Sequence, residues 1–167
     1  GIEVITYNLD DGKVVSTKMD KDFIYEDEYS SDYRQVSFYA QVVKVGSVIE
    51  VKYKLRSTIY WSIQDLYFQR TIPVNLSESE VRIPGMFTFH KKLRGSHHVD
   101  YASDIEHMAL GSYQYEIGVD KFVAVDIPAF KYEPYIYYPR QYFSFVTYDI
   151  RSLRLPGMDT KYSGVSW

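Results

Sequence analysis

The sequence contains no cysteine. Disulfide bonds, thiolate metal sites and a cysteine nucleophile are therefore excluded within this chain, although this absence does not fix the cellular compartment. No apolar run approaches the length of a membrane span, and the first residues lack the charged-then-apolar layout of a signal peptide. Glycine-rich phosphate loops and the GxSxG nucleophile elbow are also missing, so the standard nucleotide-binding and serine-hydrolase motifs are absent.

Charge of one sign is not in excess either. The chain has 19 Lys and Arg against 22 Asp and Glu, which gives a net charge of -3 over 167 residues. So mild and evenly spread a balance argues against nucleic acid or an anionic membrane surface as the partner. The length suits one domain, residues 1–167, that buries a core without disulfides or metals.

Aromatic residues are abundant, with 18 Tyr, 9 Phe and 2 Trp, and such residues favour pleated, half-buried surfaces. In "SVIEVKYKLRS" apolar and charged side chains alternate with a period of two, as in a strand with one dry face. "QVSFYAQVV" alternates similarly, and Gly46 lies between the two runs. We therefore predict an antiparallel hairpin here, and a second one around Asp11 and Gly12 in "ITYNLDDGKVVSTKM".

Further alternating runs predict an all-β fold, an antiparallel β-sandwich with at most one or two short helices. These runs are "SEVRI" before Pro84 and Gly85, "MFTFHKKL", "SYQYEIGV" and "QYFSFVTYDIRSLRL". In the last run the apolar phase changes twice, which is typical of a bulged strand or of one covered on both faces. The best candidate for a helix is "SDIEHMALGS", residues 103–112.

Two polar segments are candidates for chemistry. "SHHVDYASDIEH" could supply metal ligands, for which His97, His98, Asp100 and His107 are the candidates. Adjacent histidines point to opposite faces of a strand, and no HExxH spacing occurs, so we favour a solvated loop. "FIYEDEYSSDY" holds carboxylates that could act in pairs on sugars, although a wet surface is the more ordinary explanation. Its acids are Glu26, Asp27, Glu28 and Asp32.

The aromatic side chains are the remaining candidates for binding. Exposed rings could stack on sugars, because Tyr and Trp join an apolar body to a polar group. The alternative, which we favour from the sequence, is that these rings fill the core and close its ends. The candidate stacking residues are Tyr60, Trp61, Tyr67, Tyr135, Tyr137 and Tyr138.

Several stretches in order resemble one family. They are "ITYNLDDGKVVSTKM", "VKVGSVIEVKYKLRS", "DLYFQRTIPVNLSESEVRIPGMFTF" and "VDIPAFKYEPYIYYPRQYFSFVTYDI". Together they are similar to DUF3857, a bacterial domain of unknown function found before transglutaminase-like catalytic domains, notably in Bacteroidetes. The resemblance covers almost the whole chain and includes no catalytic motif.

The resemblance implies a β-sandwich from an exported protein of the periplasm or cell surface, with the chemistry in a downstream Cys-His-Asp domain. "SGVSW" looks like the lead-in to that domain, and family members carry further strands before "GIEVITYNL". We therefore expect this chain to be a fragment of a larger protein with one sheet edge uncovered. In the family, "IPAFKYEPYIYYP" looks like a fixed corner before the last long strand, stiffened by Pro134 and Pro139.

Three functional hypotheses follow. The leading one is a non-catalytic accessory domain without a cofactor, which positions a downstream transglutaminase-like domain or binds another protein. The second is a carbohydrate-binding module that uses exposed tyrosines and Trp61. The third is a metal-dependent hydrolase at the histidine segment. An exposed apolar patch would favour the first, and exposed coplanar rings flanked by polar groups would favour the second.

Overall fold

A computed structural model describes residues 1–30, 33–57, 59, 62–110, 113–155, 157 and 161–162. The described residues form antiparallel strands and two short 3₁₀ turns, Lys21–Phe23 and Pro139–Tyr142, so the predicted all-β class is confirmed. The chain divides into two compact units, Gly1–Arg56 and Ser57–Trp167. The organisation of residues 1–167 as one domain stays a prediction.

The described residues of the first unit form five strands in two sheets. They are β1 (Ile2–Asp10), β2 (Lys13–Lys18), β3 (Ile24–Ser30), β4 (Tyr33–Phe38) and β5 (Val48–Tyr53). One sheet has the order β2-β1-β5 and the other is the hairpin β3-β4. The predicted hairpin around Asp11 and Gly12 is confirmed, because β1 pairs with β2 and the two turn residues have φ of 49° and 76°.

The predicted hairpin between residues 36–42 and 49–55 is wrong. Gly46 does form a turn, with φ 90° and a hydrogen bond of 3.0 Å from the Ser47 amide to the Lys44 carbonyl. However, β4 ends at Phe38 and pairs with the preceding β3, while β5 pairs with β1. The turn chemistry was local and visible in the sequence, whereas the choice of partner strand was not.

In the second unit, the part of the chain that the structure describes forms seven strands in two sheets. They are β6 (Ser62–Tyr67), β7 (Val74–Pro84), β8 (Phe87–Arg94), β9 (Asp100–Leu110), β10 (Tyr113–Ile127), β11 (Phe145–Leu153) and β12 (Lys161–Tyr162). One sheet has the order β7-β10-β9. The other has the order β12-β11-β6, with β8 also pairing with β11.

The two sheets of the second unit share one buried core, which makes this unit a β-sandwich. Phe122 and Ala124 of β10 supply it from one sheet, and Val146 and Tyr148 of β11 supply it from the other. The rings of Phe122 and Tyr148 meet edge to face, 6.4 Å apart. Burial of such large apolar side chains is the main term that stabilises the unit.

One detail of the strands differs from the expectation from the sequence, and another agrees with it. The best helix candidate, residues 103–112, is a strand over its described part, because β9 extends to Leu110 and pairs with β10 throughout. The last long run does contain bulges, as its phase changes predicted, since the pairing of β11 shifts register between Val146 and Tyr148 and again between Ile150 and Ser152.

Candidate functional site

The segment between β10 and β11 presents tyrosine rings to solvent. Tyr135, Tyr137 and Tyr138 are 92%, 86% and 71% exposed, and Tyr142 is 61% exposed. Among the described residues, no other aromatic ring packs against these four. The expectation that the rings of this segment fill the core is therefore wrong for them.

Buried and half-buried rings hold both ends of this segment in place. Phe130 and Phe143 lie 4.7 Å apart between ring centroids, and the Phe130 amide donates a 2.8 Å hydrogen bond to the Arg70 carbonyl. Tyr67 stacks on Phe145 at 4.9 Å and meets the edge of Phe143 at 6.1 Å. Tyr67 is therefore an anchor of the segment and not part of its exposed surface.

The backbone at Tyr135 adopts an uncommon conformation. Its φ is 74°, in the left-handed region, where a residue with a Cβ pays about 1–2 kcal/mol. The neighbouring turn is closed by a hydrogen bond of 3.4 Å from the Ile136 amide to the Glu133 carbonyl. A strained residue whose side chain contributes nothing to the core is a reason to look for a role at the surface. Tyr60 and Trp61, the other predicted stacking residues, lie outside the described residues.

An open depression of about 510 Å³ adjoins the end of the tyrosine segment. Phe145 is buried, while Arg94 and Tyr142 are exposed. Because Phe145 is the direct partner of both Arg94 on β8 and Tyr67 on β6, these three side chains share one face of the sheet. The depression is lined by Arg94, Gln141, Tyr142, Phe145 and Thr147.

Charged side chains of both signs lie near this depression. Lys92 pairs with Asp149 at 2.9 Å, and this hydrogen bond holds the pKa of the Asp149 carboxyl below its usual range, with smaller contributions from the charges of His90 and Arg94. Within the described part of the chain, the Arg94 guanidinium makes no hydrogen bond or ion pair. Asp149 is therefore already paired with a cation, whereas Arg94 is available to a ligand.

The four predicted metal ligands are not brought together. His98 Nε2 lies 2.9 Å from an Asp100 carboxylate oxygen, and both side chains are largely exposed. His97 Nδ1 lies instead 2.9 Å from Ser144 Oγ, and His107 is exposed on β9, opposite Glu116 of β10. Over the described ranges, no three His, Asp or Glu side chains are grouped as a metal ion requires.

The contact between His97 and Ser144 resembles a nucleophile with its base, yet its surroundings are structural. Ser144 is 0% exposed, and its carbonyl accepts hydrogen bonds from the amides of Phe68 and Gln69 at 2.8 and 3.3 Å. Gly95 packs against it so closely that a Cβ would lie 2.5 Å from Ser144 Cα. A hydroxyl enclosed in this way cannot reach a substrate, so we assign the pair to packing.

Three of the four predicted carboxylate residues, Glu26, Asp27 and Glu28, belong to strand β3 and not to a loop. Glu26 and Asp27 are exposed on β3 and face the β4 residues Val36 and Gln35 across the hairpin. Asp32 lies outside the described residues, and the Glu28 side chain is not described. The cluster as a whole therefore stays a hypothesis.

A buried charged group that sequence reasoning missed joins the two sheets of the second unit. The Asp120 carboxylate on β10 accepts hydrogen bonds from Lys91 Nζ at 2.7 Å, Tyr101 hydroxyl at 2.9 Å and Tyr148 hydroxyl at 3.0 Å. Asp120 is only 3% exposed. Because Lys91 and Tyr148 belong to one sheet and Asp120 and Tyr101 to the other, these bonds tie the sandwich together.

The pKa values of this cluster favour fixed charges. Burial by itself would raise the pKa of Asp120, but the hydrogen bonds from Lys91, Tyr101 and Tyr148 hold it below its usual range. Burial and the neighbouring carboxylate raise the pKa of Tyr148 far above its ordinary value, so this hydroxyl stays protonated. Burial likewise works against the charge on Lys91, yet its bonds to Asp120 and Tyr101 raise its pKa overall.

Three donors already occupy the buried Asp120 carboxylate, so a substrate has no access to it. We therefore assign the cluster to stability and not to catalysis. One signal was present in the sequence: Asp120 has the same parity as Phe122 and Ala124, so it replaces an apolar residue on the inward face of β10.

Comparison with known proteins gives no identification, since no family model, curated protein or solved structure matches this chain. Among the residues that the structure describes, no helix has the length and apolar character needed to span a membrane.

Proposed function

We propose that this chain is a non-catalytic β-sandwich accessory domain of an exported, transglutaminase-like protein, and that it binds a neighbouring domain of the same polypeptide. The resemblance to DUF3857 supports the family, the periplasmic or surface location and the neighbouring domain. The non-catalytic role rests on a sequence without a recognised active-site motif. One structural observation supports binding, namely an exposed apolar face on β5.

This apolar face consists of alternate residues of β5. Ile49, Val51 and Tyr53 are 38%, 40% and 53% exposed, and Leu55 just beyond the strand is 68% exposed. Ile49, Val51 and Tyr53 share one face because strand side chains alternate. Among the described strands, β5 pairs only with β1, so its other edge is open. An edge strand with an exposed apolar face is a typical docking surface for another chain.

The test measures binding of this chain to the polypeptide that its gene encodes downstream, produced separately, by isothermal titration calorimetry. Val51→Lys places a charge in the middle of the apolar face, and we expect it to weaken binding at least tenfold. Lys52→Gln on the opposite face of β5 is the matched control and should bind like the wild type. Binding that is absent, or equally strong in Val51→Lys, would reject the proposal.

Carbohydrate binding is a second candidate function, and the exposed tyrosine segment favours it. Tyr135, Tyr137 and Tyr138 offer apolar rings with polar hydroxyls, the usual chemistry of sugar stacking. An amide-resolved NMR titration with a panel of soluble neutral and acidic glycans tests this function. Shifts localised at residues 135–138, lost in Tyr137→Ala, would support it, and an unchanged spectrum across the whole panel would exclude it.

A further inference from the structure

We propose that the depression beside the 3₁₀ turn at Pro139–Tyr142 binds a carboxylate-bearing sugar unit, with Arg94 holding the carboxylate and the Tyr142 ring stacking on the sugar. The inference rests on the second candidate function, glycan binding, and deepens it by naming the class of sugar and the residues that select it.

The size and lining of the depression suit a sugar better than a bare ion. Its volume of about 510 Å³ lies within the range of about 300–1,000 Å³ that is typical of small-molecule sites. Buried Phe145 contributes an apolar side chain, and Tyr142 contributes a ring that is 61% exposed. A pyranose ring has one apolar face that stacks on such a surface.

The polar side chains of the lining complement the edge of a sugar. The Gln141 amide can donate and accept hydrogen bonds, and the Thr147 hydroxyl can do both as well. Neighbouring hydroxyl groups of a sugar require such mixed partners. A phosphate would instead be best matched by several cationic donors, and Arg94 is the one cation among the described residues that line this depression.

Charge then selects an acidic sugar over a neutral one. The planar guanidinium of Arg94 matches a carboxylate with two parallel hydrogen bonds, and it has no such partner within the described residues. Among the described lining residues none is a carboxylate, and Asp149 on the same face forms an ion pair with Lys92 at 2.9 Å. An acidic ligand at Arg94 therefore meets no carboxylate among the described lining residues.

The experiment compares three ligands by isothermal titration calorimetry and NMR: a disaccharide containing a uronic acid, its neutral analogue with a hydroxymethyl group, and inorganic phosphate. We expect the acidic disaccharide to bind at least tenfold more tightly than the neutral one, with shifts at Arg94, Tyr142 and Thr147. Such a ratio corresponds to the loss of one hydrogen bond to a charged group.

Variants locate the site. Arg94→Gln should lose the preference for the acidic disaccharide, while Arg94→Lys should keep part of it because the charge remains without the planar fork. Arg151→Gln, at an exposed arginine of β11 outside the lining, is the matched control and should leave binding unchanged.

Each remaining outcome overturns the inference. Equal affinity for the acidic and the neutral disaccharide would reject selection by Arg94, yet shifts at residues 135–138 would keep glycan binding itself. Phosphate that binds as tightly as the acidic disaccharide would show an unspecific anion site. An absence of binding by every sugar would reject both this inference and the second candidate function.

Discussion

Removal of the Asp120 carboxylate tests how much this buried charge, 3% exposed, stabilises the sandwich of the second unit. Asp120→Ala deletes the acceptor of three hydrogen bonds, of 2.7, 2.9 and 3.0 Å, from Lys91, Tyr101 and Tyr148. The Tyr148 hydroxyl is then left buried without an acceptor, since Tyr148 is 5% exposed. The loss is thus an uncompensated desolvation and not only a missing bond.

The magnitude follows from the exposure of the two charges. Breaking a fully buried pair costs about 3–5 kcal/mol, but the Lys91 side chain is 34% exposed against 4% for Asp120, so its ammonium can regain water. We therefore expect a loss of about 3 kcal/mol in the free energy of unfolding. At roughly 3 °C per kcal/mol for a chain of this size, the melting temperature should fall by about 10 °C.

Urea unfolding followed by circular dichroism measures this loss, and Asp149→Ala provides the matched control. Asp149 also pairs with a lysine on β8, at 2.9 Å, but its side chain is 58% exposed, so we expect a loss of at most about 1 kcal/mol. Equal losses in the two variants would refute the reasoning, because burial would then make no difference to the pair.

Three further predictions follow from the same structure. The folded pKa of Asp120 lies below its unfolded value of about 3.9, so its contribution to the free energy of unfolding is present above that pH and disappears as the pH falls through the folded value. Asp120→Asn should therefore lose less stability on acidification than the wild type, measured by urea unfolding at pH 7 and pH 2.5. Gly95→Ala should lower the free energy of unfolding by about 3 kcal/mol, because its φ is 92° and a Cβ would lie 2.5 Å from Ser144 Cα. The control Gly12→Ala, at an open turn, should lower it by only about 1 kcal/mol in the same assay. EDTA should leave the melting temperature unchanged, because His98 and Asp100 form only a pair, and a clear decrease would revive the metal hypothesis.

The sequence was informative wherever structure depends on neighbouring residues. The turn at Asp11 and Gly12 forms the predicted hairpin, because both residues reach positive φ and the flanking runs lie next to each other in the chain. The bulges of β11 were likewise visible as changes of apolar phase. Both features are encoded within a few residues of where they occur.

Features that depend on distant partners could not be predicted in this way. Ile105 and Met108 have a spacing that suits a helix, yet their segment forms β9 because β10 supplies a continuous row of hydrogen-bond partners. The partner of β5 is β1, more than forty residues earlier, as in the pair Ile5 and Glu50. Neither choice leaves a local signal in the sequence.

The candidate site shows the same limit. The tyrosines were recognised as possible stacking residues, but their exposure depends on Phe130 and Phe143, which anchor the segment and leave Tyr135 and Tyr137 outside. No sequence pattern singles out Arg94, because its availability follows from the pairing of β8 with β11 and from the ion pair between Asp149 and Lys92. Side-chain accessibility is a tertiary property that composition alone does not determine.

The central claim is that the exposed face of β5 is a binding surface for the rest of its own polypeptide. Hydrogen exchange followed by mass spectrometry tests it most directly, by comparing this chain alone with the complete product of its gene. We predict that the amides of β5, Val48–Tyr53, exchange more slowly in the complete protein, while those of β2, Lys13–Lys18, do not change. Identical exchange of β5 in the two proteins would contradict the claim.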